Sequence, residues 1–580
     1  MEIRTYSFDE SGRVMLSSSA RGKDWPVVYM IHNRDTLYIG ETTSASTRMG
    51  QHLSNPEKQE AQLERIEIVF DDTYNKSVVL DFEQKLIKYC KADGQFRHIL
   101  NRNAGQSAMH NYYRRAEYHN TFRELWAMLV EKGLAKQGID AIENWNIFKY
   151  SPYNSLTEEQ NEIAAGILQD ISAKMKNGQK GVALVEGCAG TGKTVLAISM
   201  INSIVNAASL DLQELSEDEL SSDKIQALLA LKSSLALRRE PLKIGLLTPI
   251  SGIRTTMSKV FDECGNGLDG EMVIGPSDVK DQVYDILFVD ESHRLRKRKN
   301  LGSGFGNFDI VSRMLGLDPN TCSQLDWALK QSKYTVLFYD EEQSIKGSDV
   351  SYEEYHRSLE TYASCMKKYS LTTQMRCEGG GAYIDYVKDI LHVRSPQPQR
   401  ILNYDFRLYE DVDAMFRKIR ELDREVGLCR TLAGFSWPWA THKSGCKTYE
   451  EMVAQGKYDI EIEGHRYIWN LRTAGWIDMP HAVDTIGCIH TSQGFDLNYV
   501  GVIFGREIDY DPVKNEITID LKKFYDANVK NSNPEEIVKG FIINTYTTIL
   551  ARGIKGCYVY ACNPNLREYL KRFIPAAEEK

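Results

Sequence analysis

From Leu156 onward, short continuous apolar runs alternate with segments of helical spacing. Strands that are buried on both faces read as continuous apolar runs, and their alternation with helices indicates parallel sheets covered on both sides. The stretch is long enough for two such sheets. The sequence therefore predicts an α/β fold with two doubly wound parallel-sheet domains, whose strand runs are VALVEG, IGLLTP, ILFVDE, TVLFYD, TIGCIH, VGVIFG and GCYVYAC.

The beginning of the chain has a different pattern. Short strand-like runs (VVYMI, TLYIG, RIEIVF) precede helical periodicity from Val79 to Cys90, and aromatic and charged residues then follow with helical spacing. We interpret these stretches as a small α/β domain followed by a helical connector. The predicted organisation is a first domain over 1–106, a connector over 107–150, and sheet domains over 151–365 and 366–580, with an insertion near 210–240.

The composition of the 580 residues, 42% hydrophobic and 26% charged, is ordinary for a globular protein. No run approaches the roughly 20 apolar residues of a membrane helix, and the start lacks the layout of a secretory signal. None of the 11 cysteines forms a C-x-x-C pair, which argues against a zinc site or a disulfide framework. We expect a cytoplasmic protein with free thiols and no membrane partner.

A net charge of −9 is not typical of nucleic-acid binders, but local clusters matter more than the total. One basic cluster could contact nucleic-acid phosphates, and a solvated loop explains it equally well. The cluster consists of Arg294, Arg296, Lys297, Arg298 and Lys299.

Residues 187–194, GCAGTGKT, fit the phosphate-loop pattern G-x-x-x-x-G-K-[ST] and lie between a strand-like and a helical run. Glycines at Gly187, Gly190 and Gly192 let backbone N–H groups approach phosphate oxygens. Lys193 would reach the β and γ phosphates, and Thr194 would ligate Mg²⁺. This segment predicts an ATP site.

A second apolar run ends in the adjacent carboxylates Asp290 and Glu291. Asp290 can hold Mg²⁺ at the end of its strand. Glu291 can orient or deprotonate the attacking water. Together with the phosphate loop, this pair indicates ATP hydrolysis.

Further motifs follow in the order seen in superfamily-one helicases, which the chain resembles from Leu156 to Pro575. DESH, HTSQG, LARGIKGCYVY and AGFSWPW look closest to the schlafen-like helicase/ATPase group. The resemblance implies two RecA-like domains that use ATP, Mg²⁺ and nucleic acid. It also implies an adenine-reading Gln160, a γ-phosphate-coupling Gln343, Gln493 and Gly494 of the fifth motif at the nucleotide, and the arginines Arg376 and Arg552.

In the first domain, the triplet ending at Tyr29, the run Leu37–Gly40 and three later residues occur in the order of the GIY-YIG nuclease family, which residues 24–105 resemble. Val27 and Val28 stand where the family has glycine and isoleucine. The resemblance implies that Glu83 ligates Mg²⁺ or Mn²⁺ and that Tyr29 is a general base if its pKa is lowered. The other implied catalytic residues are Tyr38, Arg48, His52 and Asn101.

The favoured hypothesis is an ATP-driven helicase or translocase joined to a metal-dependent endonuclease. Such a fusion suits bacterial defence against foreign DNA, or repair. DNA is the expected partner, RNA is not excluded, and self-association is left open. The alternatives are a nucleotide-gated nucleic-acid-binding switch and a repair helicase with an inactive nuclease domain.

Overall fold

The computed structural model describes residues 1–101, 114–150, 156–209, 222–236, 238, 240–265, 267–341, 349–446, 448–472, 475–492, 495–530 and 534–577. The chain divides into two compact units. The amino-terminal unit comprises Met1–Gln169, Ile198–Ala236 and Asp262–Leu268. The carboxy-terminal unit comprises Asp170–Ala197, Leu237–Phe261 and Asp269–Lys580.

The amino-terminal unit contains a five-stranded sheet in the order β1-β4-β2-β3-β5. Strands β1, β4, β2 and β3 are antiparallel to their neighbours, and β5 pairs with β3 in parallel. The hairpin β2–β3 holds the predicted tyrosines. The strands are β1 (Glu2–Ser7), β2 (Val27–His32), β3 (Thr36–Thr42), β4 (Arg65–Phe70) and β5 (His98–Ile99).

Strand β2 is buried along its whole length, and its side chains alternate between two hydrophobic clusters. Val28 and Met30 belong to one cluster, whereas Tyr29 and Ile31 belong to the other. The helices of this unit are α1 (Glu10–Ser17), α2 (Ala20–Lys23), α3 (Ala45–Leu53), α4 (Pro56–Glu60), α5 (Lys76–Asp93), α6 (Arg115–Glu131), α7 (Ile139–Asn144) and α8 (Asn146–Lys149).

The residues predicted to form a connector are helical, but they do not stand apart from the first domain. Phe122 and Trp126 of α6 are buried in the same cluster as Phe82 of α5. Their ring contacts include an edge-to-face pair, Phe82 with Phe122, at a centroid distance of 5.3 Å. The aromatic residues of this stretch therefore complete the core of the amino-terminal unit.

Four further helices follow, and three of them contain a boundary between the units. The fourth, α11, lies within the predicted insertion, of which residues 210–221 lie outside the described chain. The helices are α9 (Glu158–Lys176), α10 (Lys193–Val205), α11 (Asp223–Leu235) and α12 (Ser251–Cys264).

The first sheet of the carboxy-terminal unit has six strands in the order β11-β6-β10-β9-β7-β8, all parallel. The pairing of β11 with β6 extends this sheet to Leu371, past residue 365, where the first sheet domain was predicted to end. The strands are β6 (Gly181–Gly187), β7 (Ile244–Leu247), β8 (Val273–Ile274), β9 (Tyr284–Val289), β10 (Ser332–Tyr339) and β11 (Met366–Leu371).

A second sheet of five parallel strands has the order β12-β20-β17-β13-β16, and two antiparallel hairpins accompany it. The predicted α/β class with parallel sheets is confirmed. The strands are β12 (Asp405–Leu408), β13 (Arg430–Ala433), β14 (Ile460–Ile462), β15 (His465–Tyr467), β16 (Ile486–Gly487), β17 (Leu497–Phe504), β18 (Ile508–Asp511), β19 (Glu516–Ile519) and β20 (Gly553–Ala561).

Helices cover these sheets, and the last long one, α21, leads directly into Arg552. No helix among the described residues is both long and apolar enough to cross a bilayer. The cysteines are free thiols. The helices are α13 (Phe305–Met314), α14 (Gln324–Lys330), α15 (Tyr352–Glu360), α16 (Gly380–Leu391), α17 (Val412–Val426), α18 (Tyr449–Ala454), α19 (Ile489–Ser492), α20 (Ala527–Lys530), α21 (Glu535–Leu550) and α22 (Pro564–Leu570).

Candidate nucleotide site and amino-terminal tyrosine cluster

The phosphate loop joins the end of β6 to the start of α10, as its flanking pattern predicts. Gly190 and Gly192 have φ angles of +87° and +78°, a region that side chains rarely enter. A Cβ on Gly190 would lie 2.0 Å from Oε1 of Gln374. The loop conformation therefore requires glycine at this position for both backbone and packing reasons.

The ammonium of Lys193 lies inside this loop and is 7% exposed. Its Nζ donates to the carbonyls of Gly187 and Cys188 at 2.5 and 2.9 Å and to Oδ2 of Asp340 at 3.1 Å. Asp340 directly follows β10, so the adjacent strands β6 and β10 bring the two charges together. A buried cation in a loop of this kind is suited to binding a phosphate.

Asp290 follows β9 and accepts a hydrogen bond from Thr194 Oγ1 at 2.9 Å. Its other oxygen, Oδ1, is buried and has no hydrogen-bond partner among the described residues. Burial, together with the charge of Glu291, raises the pKa of Asp290. A hydroxyl beside a carboxylate with an unused oxygen fits Mg²⁺, which prefers oxygen ligands.

Glu291 has the left-handed backbone angles φ +50° and ψ +43°, which are costly for a residue with a side chain. Burial acts to raise its pKa, but the neighbouring His293 and the charges of Lys193 and Arg552 outweigh burial and lower it. Nε2 of His293 lies 2.9 Å from Oε2 of Glu291. Glu291 therefore stays ionised and can accept a proton from water.

Both predicted arginines lie in this unit, but in different settings. Arg552 is 2% exposed, and its charge is one of those that lower the pKa of Glu291, so it lies within electrostatic range of that carboxylate. Its Nη1 lies 3.5 Å from the Phe495 carbonyl, at the limit of a hydrogen bond. Arg376 forms an ion pair with Asp496.

Sequence reasoning missed Gln374. Its Nε2 donates to the Ala189 carbonyl at 2.7 Å, and the N–H of Met375 donates to the Gly190 carbonyl at 2.8 Å. The only signal in the sequence was its position two residues before Arg376. The segment 374–376, which follows β11, therefore contacts the phosphate loop directly.

A cleft opens beside the phosphate loop. Residues of the loop and Asp340, which follows β10, form one side, and residues of α16 and α21 and of their carboxyl ends form the other. This cleft joins the first parallel sheet domain to helices of the second. It is lined by Cys188, Ala189, Asp340, Ile384, Lys388, His392, Asn544, Thr547, Thr548 and Ala551.

The other predicted nucleotide-site residues either have local partners of their own or lie outside the described residues. Gln160 lies in the amino-terminal unit and is fully buried. Its Oε1 accepts from the Thr157 N–H at 3.0 Å, while its own N–H donates to Thr157 Oγ1 at 3.2 Å. This reciprocal pairing stabilises the start of α9. Gln343, Gln493 and Gly494 lie outside the described residues.

Most of the basic cluster at 294–299 is neutralised by carboxylates. Arg294 pairs with Asp349 at 2.7 Å in the interior, and Arg298 pairs with Asp309 at 2.6 Å. Lys297 contacts Glu354 at 2.5 Å. These pairings favour a folding role for the cluster over phosphate binding.

In the amino-terminal unit, the predicted nuclease residues gather around the Tyr29 hydroxyl, which lies 2.7 Å from Nε2 of His52. Nε of Arg48 donates to the same hydroxyl at 3.4 Å. The Tyr38 ring lies 5.0 Å from the His52 ring, and Nζ of Lys58 lies 3.8 Å above the Tyr38 ring. We call Tyr29, Tyr38, Arg48, His52 and Lys58 the tyrosine cluster.

The protonation states in this cluster differ from the prediction for Tyr29. Burial raises the pKa of Tyr29, and Arg48 offsets this only in part. Burial, with the charges of Lys58 and Arg48, lowers the pKa of His52 to about 2. Tyr29 therefore stays protonated and His52 stays neutral, so neither group is ready to act as the general base that was predicted at Tyr29.

The two remaining predicted nuclease residues have distinct surroundings. The side-chain amide of Asn101 bonds to the backbone of Ile39 in β3. Its Oδ1 accepts from the Ile39 N–H at 2.9 Å and its Nδ2 donates to the Ile39 carbonyl at 2.8 Å, so it secures the edge of the hairpin. Glu83 on α5 is half-buried, and its charge is one that raises the pKa of Tyr29. No group of three or more His, Cys, Asp or Glu residues gathers as a metal site in the described parts of the chain.

The valine at the family's glycine position has a simple explanation. Val27 is fully buried in the same cluster as Tyr29, where its side chain fills core space. The glycine that Tyr29 needs is instead Gly40, its partner in the β2–β3 pairing. A Cβ on Gly40 would lie 2.3 Å from the Tyr29 hydroxyl.

The family model described as "Schlafen group 3, DNA/RNA helicase domain" matches residues 180–563. An uncharacterized protein of Saccharomyces cerevisiae, YPL245W, is 27% identical over 451 residues, which are 72% of this chain and 91% of that protein.

Two solved structures show weaker likeness. The Pif1 helicase from Candida albicans is 10% identical, covering 72% of this chain and 99% of its own, with a TM-score of 0.26. The Bacteroides Pif1 bound to ssDNA is 8% identical, covering 73% and 95%, with a TM-score of 0.27. Scores of this size do not establish a shared overall fold.

Replacing Gly40 with alanine should disrupt the tyrosine cluster, because the new methyl group would collide with the Tyr29 hydroxyl. Overpacking of this kind costs about 1–3 kcal/mol. Hydrogen exchange of the β2 and β3 amides should report that loss. Gly50→Ala in α3 is the matched control, since its Cβ meets only the Arg13 side chain at 3.4 Å. Equal protection in both variants would contradict the packing argument.

The stability of the amino-terminal unit should depend on pH through His52. Between its ordinary pKa of 6.5 and its folded value of about 2, the unfolded chain binds a proton that the folded chain does not. The free energy of unfolding therefore decreases as the pH is lowered through that window, by up to about 1.4 kcal/mol per pH unit. Hydrogen-exchange protection, corrected for intrinsic rates, should show this slope in the wild type, and the slope should be shallower in His52→Gln. Parallel slopes would refute it.

Proposed function

The chain belongs to the Schlafen group 3 family of DNA/RNA helicase domains, and from that premise we propose that it is an ATP-driven nucleic-acid motor whose amino-terminal unit cleaves phosphodiester bonds. DNA is the proposed substrate, and RNA is the alternative. A motor joined to a nuclease would suit defence against foreign DNA or repair.

The observation that supports the motor is the contact of Thr194 in the phosphate loop with Asp290, next to buried Lys193, while Glu291 lies within electrostatic range of Lys193 and Arg552. Lys193 would bind the β and γ phosphates in place of the carbonyls that it now contacts. Mg²⁺ held by Thr194 and Asp290 would neutralise charge on those phosphates. The two parallel sheets would act as the two RecA-like domains of such a motor.

The hydrolytic step needs a base and a stabilised transition state. Glu291 is ionised and would orient the attacking water and accept its proton. Arg552 approaches from the end of α21, so it would stabilise charge on the transferred phosphoryl group as an arginine finger. Since Arg552 follows a helix of the second sheet domain, closure of the cleft would link hydrolysis to movement along the strand.

The nuclease proposal depends on the Tyr29–His52 pair. Protonated Tyr29 and neutral His52 would orient water or the phosphate through hydrogen bonds, because the raised pKa of Tyr29 and the lowered pKa of His52 both oppose proton transfer between them. Arg48 is exposed and would pair with the scissile phosphate. Glu83 would be the protein's ligand to Mg²⁺ or Mn²⁺.

A second candidate is a motor whose amino-terminal unit binds nucleic acid without cutting it. The burial of Tyr29, which is 2% exposed, favours this version because a phenol in the core is poorly placed to reach a phosphate. A third, a nucleotide-gated switch, would bind strand in response to ATP without translocating. Displacement of a labelled strand from a duplex, with Glu83→Gln to suppress cleavage, separates a motor from a switch.

Lys193→Ala should abolish ATP hydrolysis, because it removes the buried cation that faces the phosphates. A loss of about 10²–10³-fold in kcat is expected for one such electrostatic contact. Phosphate release with and without single-stranded DNA measures it. The control is Lys571→Ala, a surface lysine paired with Glu410 and Glu568. Hydrolysis at the wild-type rate in Lys193→Ala would exclude this ATP site.

Glu83→Gln should abolish metal-dependent cleavage of a labelled DNA substrate and leave ATP hydrolysis unchanged, because Glu83 lies in the other unit from Lys193. Cleavage is followed on a gel with Mg²⁺ and, separately, with Mn²⁺. Glu60→Gln, an exposed acid at the end of α4, is the control. If the wild type does not cut with either metal, the non-cutting version is correct; if Glu83→Gln cuts normally, the metal assignment is wrong.

A further inference from the structure

The segment Gln374–Arg376 contacts the phosphate loop on one side. It begins three residues after β11 ends, on the way to the second sheet domain. The Gln374 side chain and the Met375 N–H both bond to the loop, at Ala189 and Gly190. The residue that follows these two contacts is Arg376, so its backbone is held beside the nucleotide site.

On its other side the segment reaches the loop after the fifth motif. The Arg376 guanidinium is paired with Asp496, and the carbonyl of the preceding Phe495 lies within reach of Arg552. The N–H of Leu497 also bonds to the Arg552 carbonyl at 3.1 Å. Three consecutive residues, 495–497, therefore contact both arginines that the motor would use.

A guanidinium binds carboxylate and phosphate oxygens with the same planar fork. The Arg376 and Asp496 side chains are 18% and 25% exposed, while the paired atoms Nε and Oδ1 are buried, so an incoming polyphosphate would meet the outer part of each side chain first. A triphosphate in the phosphate loop carries more charge than one carboxylate, and it would lie beside the segment that Gln374 and Met375 fix. Asp496 and the nucleotide are therefore competitors for one side chain.

We propose that Asp496 is a positioning residue that withholds Arg376 from the nucleotide until the γ-phosphate displaces it. When the γ-phosphate displaces Asp496, the 495–497 loop is released from Arg376. In the other direction, binding of a nucleic-acid strand at this loop frees Arg376 to contact the nucleotide. The inference rests on the proposed motor and names the contact by which ATP and strand affect one another. Gln374, through its bond to Ala189, keeps the segment in place while Arg376 changes partner.

Asp496→Asn tests this, because it keeps the shape and removes the charge. For a partly exposed ion pair, the KM for ATP should fall about 2- to 5-fold. The strand-independent ATPase rate should rise, and its stimulation by a single-stranded oligonucleotide should shrink toward one. Asp496→Glu should restore the wild-type KM and stimulation. In an Arg376→Ala background, Asp496→Asn should have no further effect on KM.

Two results would overturn the inference: an unchanged or raised KM in Asp496→Asn, or a fall in KM that persists in the Arg376→Ala background. The second would mean that Asp496 acts without Arg376. Circular dichroism and thermal melting confirm that each variant is folded. These failures are distinct from failure of the proposed motor, in which the wild type itself would not hydrolyse ATP.

Discussion

The ammonium of Lys193 is the charge on which the carboxy-terminal unit's site depends. It is buried, and it is satisfied by two loop carbonyls and by Asp340. Those contacts require a loop that curls around the ammonium, and the curl requires glycine at Gly190. Because Gly190 has no side chain, the Gln374 side chain can pack directly against the loop. The burial of this one cation therefore constrains the backbone of the phosphate loop, the end of strand β10 and the segment that follows β11.

The amino-terminal unit likewise depends on one buried polar group, the Tyr29 hydroxyl, but this group carries no charge. The Tyr29 hydroxyl is buried against His52, and it fits only because Gly40 lacks a side chain. Burial keeps the phenol protonated and the imidazole neutral. Two neutral groups that share a hydrogen bond place no charge in the interior, which is how the core can accommodate them.

The sequence predicted well wherever the determinant was local. Short-range patterns predict the loop Gly187–Thr194, the strand before Asp290 and Glu291, and the parallel sheets. Because the carboxyl ends of strands in one parallel sheet meet at one edge, the same patterns also predict that the loop and the two carboxylates lie near each other. The packing of Trp126 into the first core could not be read this way, since helical spacing does not say what a helix packs against. Gln374 and Asp496 were missed for the same reason: each acts on a residue far away in the chain.

The charges at the nucleotide site indicate in what form ATP is bound. At this buried site the carboxylates Asp290, Glu291 and Asp340 face the cations Lys193 and Arg552, and His293 contacts Glu291, so negative charge already lies next to each cation. Free ATP would bring strong negative charge against these carboxylates, at a cost that a low dielectric increases. A divalent cation beside Thr194 and Asp290 reverses that balance, and it also favours the ionised form of Asp290, whose pKa is otherwise raised. Under the proposed function, the site would therefore bind metal and nucleotide together, and neither strongly alone.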